Sequence, residues 1–291
     1  KFFMDHLFAG TGGVLDEPQQ LLVNDETGEL YVSQWGETHA VEVFSADGER
    51  LRRIGRPGPL SLGKYDSRHM NRPYGMTFTP DGRLWVVEWD RAPRRISVWT
   101  PRGELVDALY GGVKYGGGGR IDPRDPSTFY VVDNSGKGNA GLQLKLDWAK
   151  GEDAVQAVYA RYDTVTYTGR FRESAPQLPI HANGRTYLSD TFNGNPVGGQ
   201  GTCGIWRLDD DGVARPVAAV GTGGWGAMKT PAFRDKWEPD AEWGVRMRYQ
   251  FAWSDLNGDY QPQPDEVQFR KTEHVVDGYT LQPDMSIMNS A

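Results

Sequence analysis

The stretch PYGMTFTPDGRLWVVE, residues 73–88, decides the fold of this chain. Its two apolar segments lie on either side of a Pro-Asp-Gly turn at residues 80–82, which is a pattern typical of a β-hairpin. A second hairpin follows, in which RISVW at residues 95–99 leads through a turn at 101–103 into an apolar segment at 105–110. The stretch therefore predicts four antiparallel strands joined by short turns.

This four-strand unit recurs along the 291 residues at about the spacing of propeller blades. The predicted fold class is all-β: a β-propeller of four-stranded antiparallel blades, with six blades and closure by the two chain ends as the favoured form. A ring left incomplete, in a chain cut from a longer protein, is the alternative. The predicted division is a single domain over 1–291, with blades at about 15–58, 73–111, 113–163 and 176–221, an irregular blade at 240–291 and a closing strand at 1–10.

Composition excludes several classes of protein. The net charge is −7, from 32 basic and 39 acidic residues, and no basic stripe is present, so we expect no nucleic acid partner. The apolar runs fall far short of a membrane span, so we expect no membrane insertion. Cys203 is the single cysteine, which rules out an intrachain disulfide and a thiolate zinc site. The chain opens on Lys1 and not on Met, which is expected of a processed or shortened form.

Residues 73–88 and 95–99 resemble NHL-type propeller repeats, and the likeness extends over roughly residues 15–221. The resemblance implies a propeller. It says little about function, because propellers of this type include binding proteins, lyases and lactonases.

The connections between predicted strands are of two kinds. Short turns alternate with long loops, and all the long loops are expected on one side of the blades, the long-loop face: residues 33–40, 55–72, 88–95, 111–118, 133–140, 190–204 and 221–238. Long loops on a rigid scaffold commonly carry function. The predicted ligand-binding residues on this face are Trp35, His39, His69, Tyr74, Trp89, Asp133, Asn134, Asn193 and Trp225, with Trp237 as a further aromatic candidate. The candidate catalytic residues are His181, Asp190 and Glu88. For the carboxylates, a structural role in capping loops is the alternative.

Residues 255–266, DLNGDYQPQPDE, have the spacing of a calcium-binding EF-hand loop. Asp255, Asn257, Asp259 and Glu266 would contribute side-chain oxygens, and Gln261 its backbone carbonyl. Tyr260 stands where Gly is expected, so either the site is weaker or the backbone differs there. The flanking segments alternate like strands. The loop therefore resembles the calcium loops of secreted β-propellers, which implies a structural Ca²⁺ ion.

The sequence thus predicts a secreted or periplasmic, calcium-stabilised propeller that binds a small molecule or polysaccharide, with carbohydrate favoured by the many Trp and Tyr residues. One alternative is an enzyme of the lactonase, hydrolase or polysaccharide lyase type. Glu17, Asn134 and Asp190 loosely resemble the axial metal set of gluconolactonase-type propellers. Another alternative is a protein–protein interaction platform. Further domains of a longer chain remain open in each case.

Overall fold

The computed structural model describes residues 15–89, 93–112, 119–133, 140–161, 176–189, 202–222, 231–238, 240–274 and 277–290. Contacts divide the chain into two compact units. The first comprises Lys1–Ser61 and Asp66–Val113, and the second comprises Leu62–Tyr65 and Lys114–Ala291. None of the helices in the described ranges has the length and apolarity needed to cross a bilayer.

The first sheet of the first unit is a four-stranded antiparallel meander. Its strands are β1 (Pro18–Val23), β2 (Leu30–Gln34), β3 (Ala40–Phe44) and β4 (Arg50–Ile54). The two middle strands are buried along their whole length, as suits their β-branched and aromatic residues, whereas β4 is exposed at its beginning.

A second meander repeats this arrangement later in the first unit. After the short β5 (Gly63–Lys64), which belongs to the second unit, come β6 (Pro73–Phe78), β7 (Leu84–Glu88), β8 (Arg95–Trp99) and β9 (Leu105–Tyr110). The two meanders are joined by direct hydrogen bonds. The amide of Met76 donates to Gln20 Oε1 at 2.5 Å, and the Ser33 hydroxyl donates to the carbonyl of Tyr74 at 2.7 Å.

One hairpin turn recurs in the short connections. The amide of a glycine with positive φ donates to the carbonyl three residues earlier, at 2.9–3.0 Å, in the turns that end at Gly48, Gly82, Gly103 and Gly212. A residue at positive φ after a type I turn is typical of hairpins with three-residue loops, and glycine adopts it without steric cost. The turn sequence at 80–82 therefore forms the predicted hairpin.

The core of the first unit lies between its two sheets. Tyr31, Val41, Ile54, Leu84 and Trp99 are all fully or nearly fully buried in one cluster. Since these residues come from both meanders, burying them holds the two sheets together.

The second unit contains two further meanders, each extended by extra strands. One consists of β10 (Gly119–Ile121), β11 (Thr128–Asp133), β12 (Ala140–Asp147) and β13 (Glu152–Arg161), with β5 paired to β13. The other consists of β14 (Leu178–Ala182), β15 (Arg185–Ser189), β16 (Thr202–Leu208) and β17 (Ala214–Thr222). Trp206, Trp253, Tyr130 and Tyr159 are almost fully buried in the core of this unit.

The first two C-terminal strands extend the last meander, and the other two form a hairpin of their own. The edge of β17 pairs with β18 (Tyr249–Ser254), which pairs with β19 (Val267–Lys271), so the sheet has six strands. A 3₁₀ turn (Pro231–Phe233) and a short helix α1 (Trp243–Arg246) precede them. β20 (Asp277–Leu281) and β21 (Ile287–Ser290) form a separate hairpin. The long β17 presents a free edge to β18, which explains the extension.

The fold class is confirmed as all-β, built from the four-stranded antiparallel blades of a β-propeller. The predicted blade count, ring closure and division into a single domain stay predictions, and the expected closing strand at 1–10 lies outside the described residues.

Candidate functional site

Three of the predicted ligand-binding residues form one aromatic cluster in the first unit: Trp35, Tyr74 and Trp89. Their ring centroids are 6.0 Å apart for Trp35 and Tyr74, 6.3 Å for Trp35 and Trp89, and 5.6 Å for Tyr74 and Trp89. Trp89 is 63% exposed and Tyr74 43%. Trp35 follows β2 and Trp89 follows β7, at the ends of the sheets opposite the short turns, so this cluster lies on the long-loop face of these two sheets.

Hydrogen bonds hold the Trp35 ring and the main chain of Trp35 and Trp89. The Trp35 indole N–H donates to the carbonyl of Pro73 at 3.0 Å, and the Trp35 amide donates to the carbonyl of Glu17 at 3.1 Å. The Trp89 amide donates to the carbonyl of Arg72 at 2.9 Å. The cluster is therefore anchored through its main chain as well as through ring packing.

Unfavourable backbone conformations concentrate around Trp35. Glu17, His39 and Arg72 have φ angles of 50°, 44° and 55°, a region that side chains other than glycine rarely adopt. All three contact Trp35 or its loop: Glu17 through its carbonyl, His39 through its amide to the Trp35 carbonyl, and Arg72 by placing its guanidinium 5.5 Å from the centroid of the Trp35 ring. Such conformations persist where the surrounding structure enforces them, and they cluster at ligand sites.

The loop between these residues is compact as well. Gly36, at φ 55°, has the carboxylate of Asp16 directly against its Cα, so that an added Cβ would overlap it. Oδ2 of the same carboxylate accepts the amide of Glu37 at 2.6 Å. A side chain at this position would strain the backbone and would displace the Asp16 carboxylate.

Glu88, a candidate catalytic residue, lies in a buried ion pair behind the cluster. Its carboxylate is 2.7 Å from Arg95 Nη2, and neither side chain is more than 1% exposed. It also accepts the amide of Asn71 at 2.7 Å, while Arg95 donates to the carbonyls of Ser67 and His69 at 2.7 and 3.0 Å. Burial raises the pKa of the Glu88 carboxyl, and the guanidinium of Arg95 opposes that rise. The pair anchors residues 67–71, the segment that leads into Arg72 and Tyr74.

A cavity of about 420 Å³ borders the cluster on the face of the second sheet. Trp89 and Arg94 line it together with the apolar side chains of Val87, Ile96 and Leu109. The exposed Trp89 ring therefore meets an apolar surface that continues along the sheet.

The predicted histidines make ordinary structural contacts. His39 is buried, and its Nδ1 lies 3.4 Å from the amide of Arg72. His69 Nδ1 lies 3.1 Å from the carbonyl of Gly58. Both histidines thus support the loops of this site from within.

The sequence places His181 beside the long-loop face, whereas in the structure it lies near the short turn of the β14–β15 hairpin. Its Nε2 is 2.7 Å from Asp122 Oδ1 and its Nδ1 is 3.1 Å from the Thr186 hydroxyl. His181 faces Thr186 across the β14–β15 hairpin. It lies next to the turn because it is the penultimate residue of β14. The contact between His181 and Asp122 joins the end of β14 to the residue after β10, at the short-turn ends of both strands.

The predicted calcium loop joins β18 to β19, and its polar side chains fold it internally. Oδ1 of Asp255 accepts the amide of Gly258 at 2.9 Å, and Oδ1 of Asn257 accepts the amide of Asp259 at 2.9 Å. Tyr260 has φ 62°, the conformation that the glycine of an EF-hand loop adopts. The backbone therefore follows the EF-hand pattern in spite of the bulky residue.

Glu266, the predicted ligand at the end of this loop, contacts N–H donors instead. It accepts the amides of Leu256 at 2.9 Å and of Asn257 and Gln263 at 3.3 Å, and the Trp253 indole N–H at 3.0 Å. Across the described ranges, no three His, Cys, Asp or Glu side chains converge in a way that would hold a metal ion. The oxygens of the loop suit a hard cation, but the Glu266 carboxylate is oriented to hold the loop closed.

Two further predicted residues, Trp237 and Asp133, belong to the second unit. Trp237 is buried in the core of the second unit, 6.2 Å from the ring of Tyr249. Asp133 ends β11. Asn134, Asp190, Asn193 and Trp225 lie outside the described residues. Arg72 and Arg95 also contribute to this site. Nothing in the sequence distinguishes them from the other arginines of the chain.

No protein-family model matches the sequence, and neither does any curated protein. Among solved structures the chain is similar to a gluconolactonase from Xanthomonas campestris, at 16% identity over 68% of this chain and 61% of that one, with a TM-score of 0.24. It is similar to a chain of a nidogen/laminin complex, at 16% identity over 68% and 61%, with a TM-score of 0.27. A third similar structure is the Dos1 propeller, at 11% identity over 95% and 67%, with a TM-score of 0.32. The chain thus spans about three fifths of the length of the first two, and the fold assignment rests on strand pairing and not on these likenesses.

Proposed function

We propose that the aromatic cluster of Trp35, Tyr74 and Trp89 is a carbohydrate-binding site. The observation that carries this proposal is the exposure of two aromatic rings, those of Tyr74 and Trp89, which pack against each other and against Trp35. The apolar faces of sugar rings pack on aromatic rings, and rings that are already fixed lose little conformational entropy when a ligand binds. Glu88 supports the site from behind, and its carboxylate is already engaged by Arg95 and by the amide of Asn71.

A panel of immobilised oligosaccharides tests this proposal with two exposed tryptophans as a matched pair. Trp89 in the cluster is 63% exposed, and Trp148, in the second unit, is 69% exposed. We expect Trp89→Ala to weaken the binding of the parent protein's best saccharide by about tenfold or more, since burying an aromatic side chain contributes roughly 1.5–3 kcal/mol.

The control Trp148→Ala should bind like the parent protein. If the parent protein binds no saccharide in the panel, or if the two alanine variants bind equally well, the proposal is wrong.

We propose a second, structural function for residues 255–266, namely calcium binding. Asp255, Asn257 and Asp259 would supply side-chain oxygens and Gln261 its carbonyl, and the φ of 62° at Tyr260 favours this assignment. Calcium would add positive charge among the carboxylates of the loop and thereby stabilise it.

Calcium should raise the melting temperature of the parent protein and a chelator should reverse the effect. A ligand at 100 times its Kd stabilises the folded state by about 2.7 kcal/mol. Asp255→Ala should abolish this response, whereas Asp265→Ala, which removes an exposed carboxylate next to Glu266, should keep it. A melting temperature that does not respond to calcium in the parent protein would show that the loop binds none.

Two broader properties belong to the same proposal. The blades are of the NHL type, and the protein works in a secreted or periplasmic setting, where calcium is abundant enough to fill a weak site. The single Cys203 is buried, which is compatible with an oxidising compartment.

A further inference from the structure

Arg72 carries a positive charge that no carboxylate neutralises in the described part of the chain. Its guanidinium packs over the Trp35 ring, with the central carbon 5.5 Å from the ring centroid. Its main chain is fixed, since its amide lies 3.4 Å from His39 Nδ1 and its carbonyl accepts the Trp89 amide. The side chain is exposed, so its donors are accessible to a ligand beside the rings.

Most of the described arginines of the first unit are paired with carboxylates. Arg95 pairs with Glu88, Arg52 with Glu29, and Arg83 with Asp81. Arg72 differs from them in lacking an ion-pair partner among the described residues, although the chain as a whole is acidic.

Arg94 places a second positive charge near Trp89. With Trp89 it lines the cavity of about 420 Å³ on the face of the second sheet. Its carbonyl accepts the amide of Gly111 at 3.0 Å, which fixes its backbone, and within the described ranges no carboxylate pairs with it. Two arginines thus lie beside this cluster, Arg72 on the Trp35 ring and Arg94 in the cavity that Trp89 lines.

We propose that the site selects an acidic saccharide, with the sugar ring on Tyr74 and Trp89 and a uronate carboxylate bound by Arg72. This inference rests on the proposed carbohydrate function and specifies its ligand class. The planar guanidinium fork matches a carboxylate through two parallel hydrogen bonds, and packing on Trp35 pre-organises that fork. Arg94 provides a second contact for the next acidic unit along a chain.

The test compares each ligand with its own uncharged form. Immobilised oligomers of galacturonic, glucuronic and mannuronic acid are each presented beside their fully methyl-esterified form, together with a sulfated neutral galactan. We expect the parent protein to bind at least one uronate oligomer about tenfold more tightly than its ester, with a preference that falls as salt rises.

Arg72→Gln should remove the preference for the acid over the ester, and Arg72→Lys should retain part of it, because the charge remains but the planar fork is lost. Arg83→Gln removes one charge at the short-turn end of the same sheet and should leave the preference unchanged. Melting curves of the three variants establish that each is folded.

Three results would overturn the inference: equal binding of acid and ester by the parent protein, an unchanged preference in Arg72→Gln, or binding of the sulfated galactan alone. If the ester binds as tightly as the acid and this binding depends on Trp89, the carbohydrate site is supported and its preference for an acidic saccharide is refuted. Uronate binding that is insensitive to Trp89→Ala would instead refute the proposed site.

Discussion

Glu88→Gln should lower the free energy of unfolding by about 3–5 kcal/mol, the usual effect of removing one partner of a buried ion pair. The Glu88 carboxylate accepts hydrogen bonds from Arg95, Ser97 and the amide of Asn71. Glutamine cannot neutralise Arg95, whose guanidinium would remain buried without a counter-charge. Urea unfolding of the two proteins measures the difference.

Glu104→Gln is the matched control, because Glu104 is an exposed residue in the short β8–β9 turn of the same sheet. It should change the free energy of unfolding by less than about 0.5 kcal/mol. Saccharide binding should weaken in Glu88→Gln as well, since the ion pair holds the segment 67–71 that leads into Arg72. A Glu88→Gln protein as stable as the control would contradict the structural role given to this residue.

Glu266→Gln should lower the free energy of unfolding by about 2–4 kcal/mol even in calcium-free buffer. The carboxylate satisfies four N–H donors, and the amide group of glutamine would present its own donors to some of them. Each buried donor left without an acceptor costs about 1–3 kcal/mol. Unfolding in the presence of a chelator isolates this effect from any contribution of the metal.

Asp265→Asn is the neighbouring control, because Asp265 is exposed, and it should unfold like the parent protein. Equal stability of Glu266→Gln and Asp265→Asn in chelator would mean that the hydrogen bonds of Glu266 do not hold the loop. A large loss that appears only when calcium is present would assign Glu266 to the ion and not to the loop.

The local signals of the sequence were sufficient for strands and turns. Pro80-Asp81-Gly82 and Asn183-Gly184 both form the hairpins that their residues favour, the latter with positive φ at both positions. The pairing of β18 with β17 could not be predicted. An edge strand can pair with any strand that reaches it, and residues 249–254 carry no signal for one sheet edge over another.

The candidate site could be predicted in part. Trp35, Tyr74 and Trp89 were found because they follow or begin strands on the long-loop face. The partner of His181 was not found, since Asp122 is 59 residues away and the contact depends on how β10 and β14 meet. The role of Arg72 depends on its positive φ, which the sequence gives no means of predicting for a non-glycine residue.

Hydroxyl-radical footprinting tests the central claim most directly, because it reports the solvent exposure of each aromatic side chain. The saccharide that the parent protein binds best would be added at saturating concentration, and the oxidation rates of Trp89, Tyr74 and Trp148 compared with and without it. The proposed site predicts that oxidation of Trp89 and Tyr74 slows severalfold while that of Trp148 is unchanged. Unchanged oxidation of Trp89 in the saturated complex would contradict it.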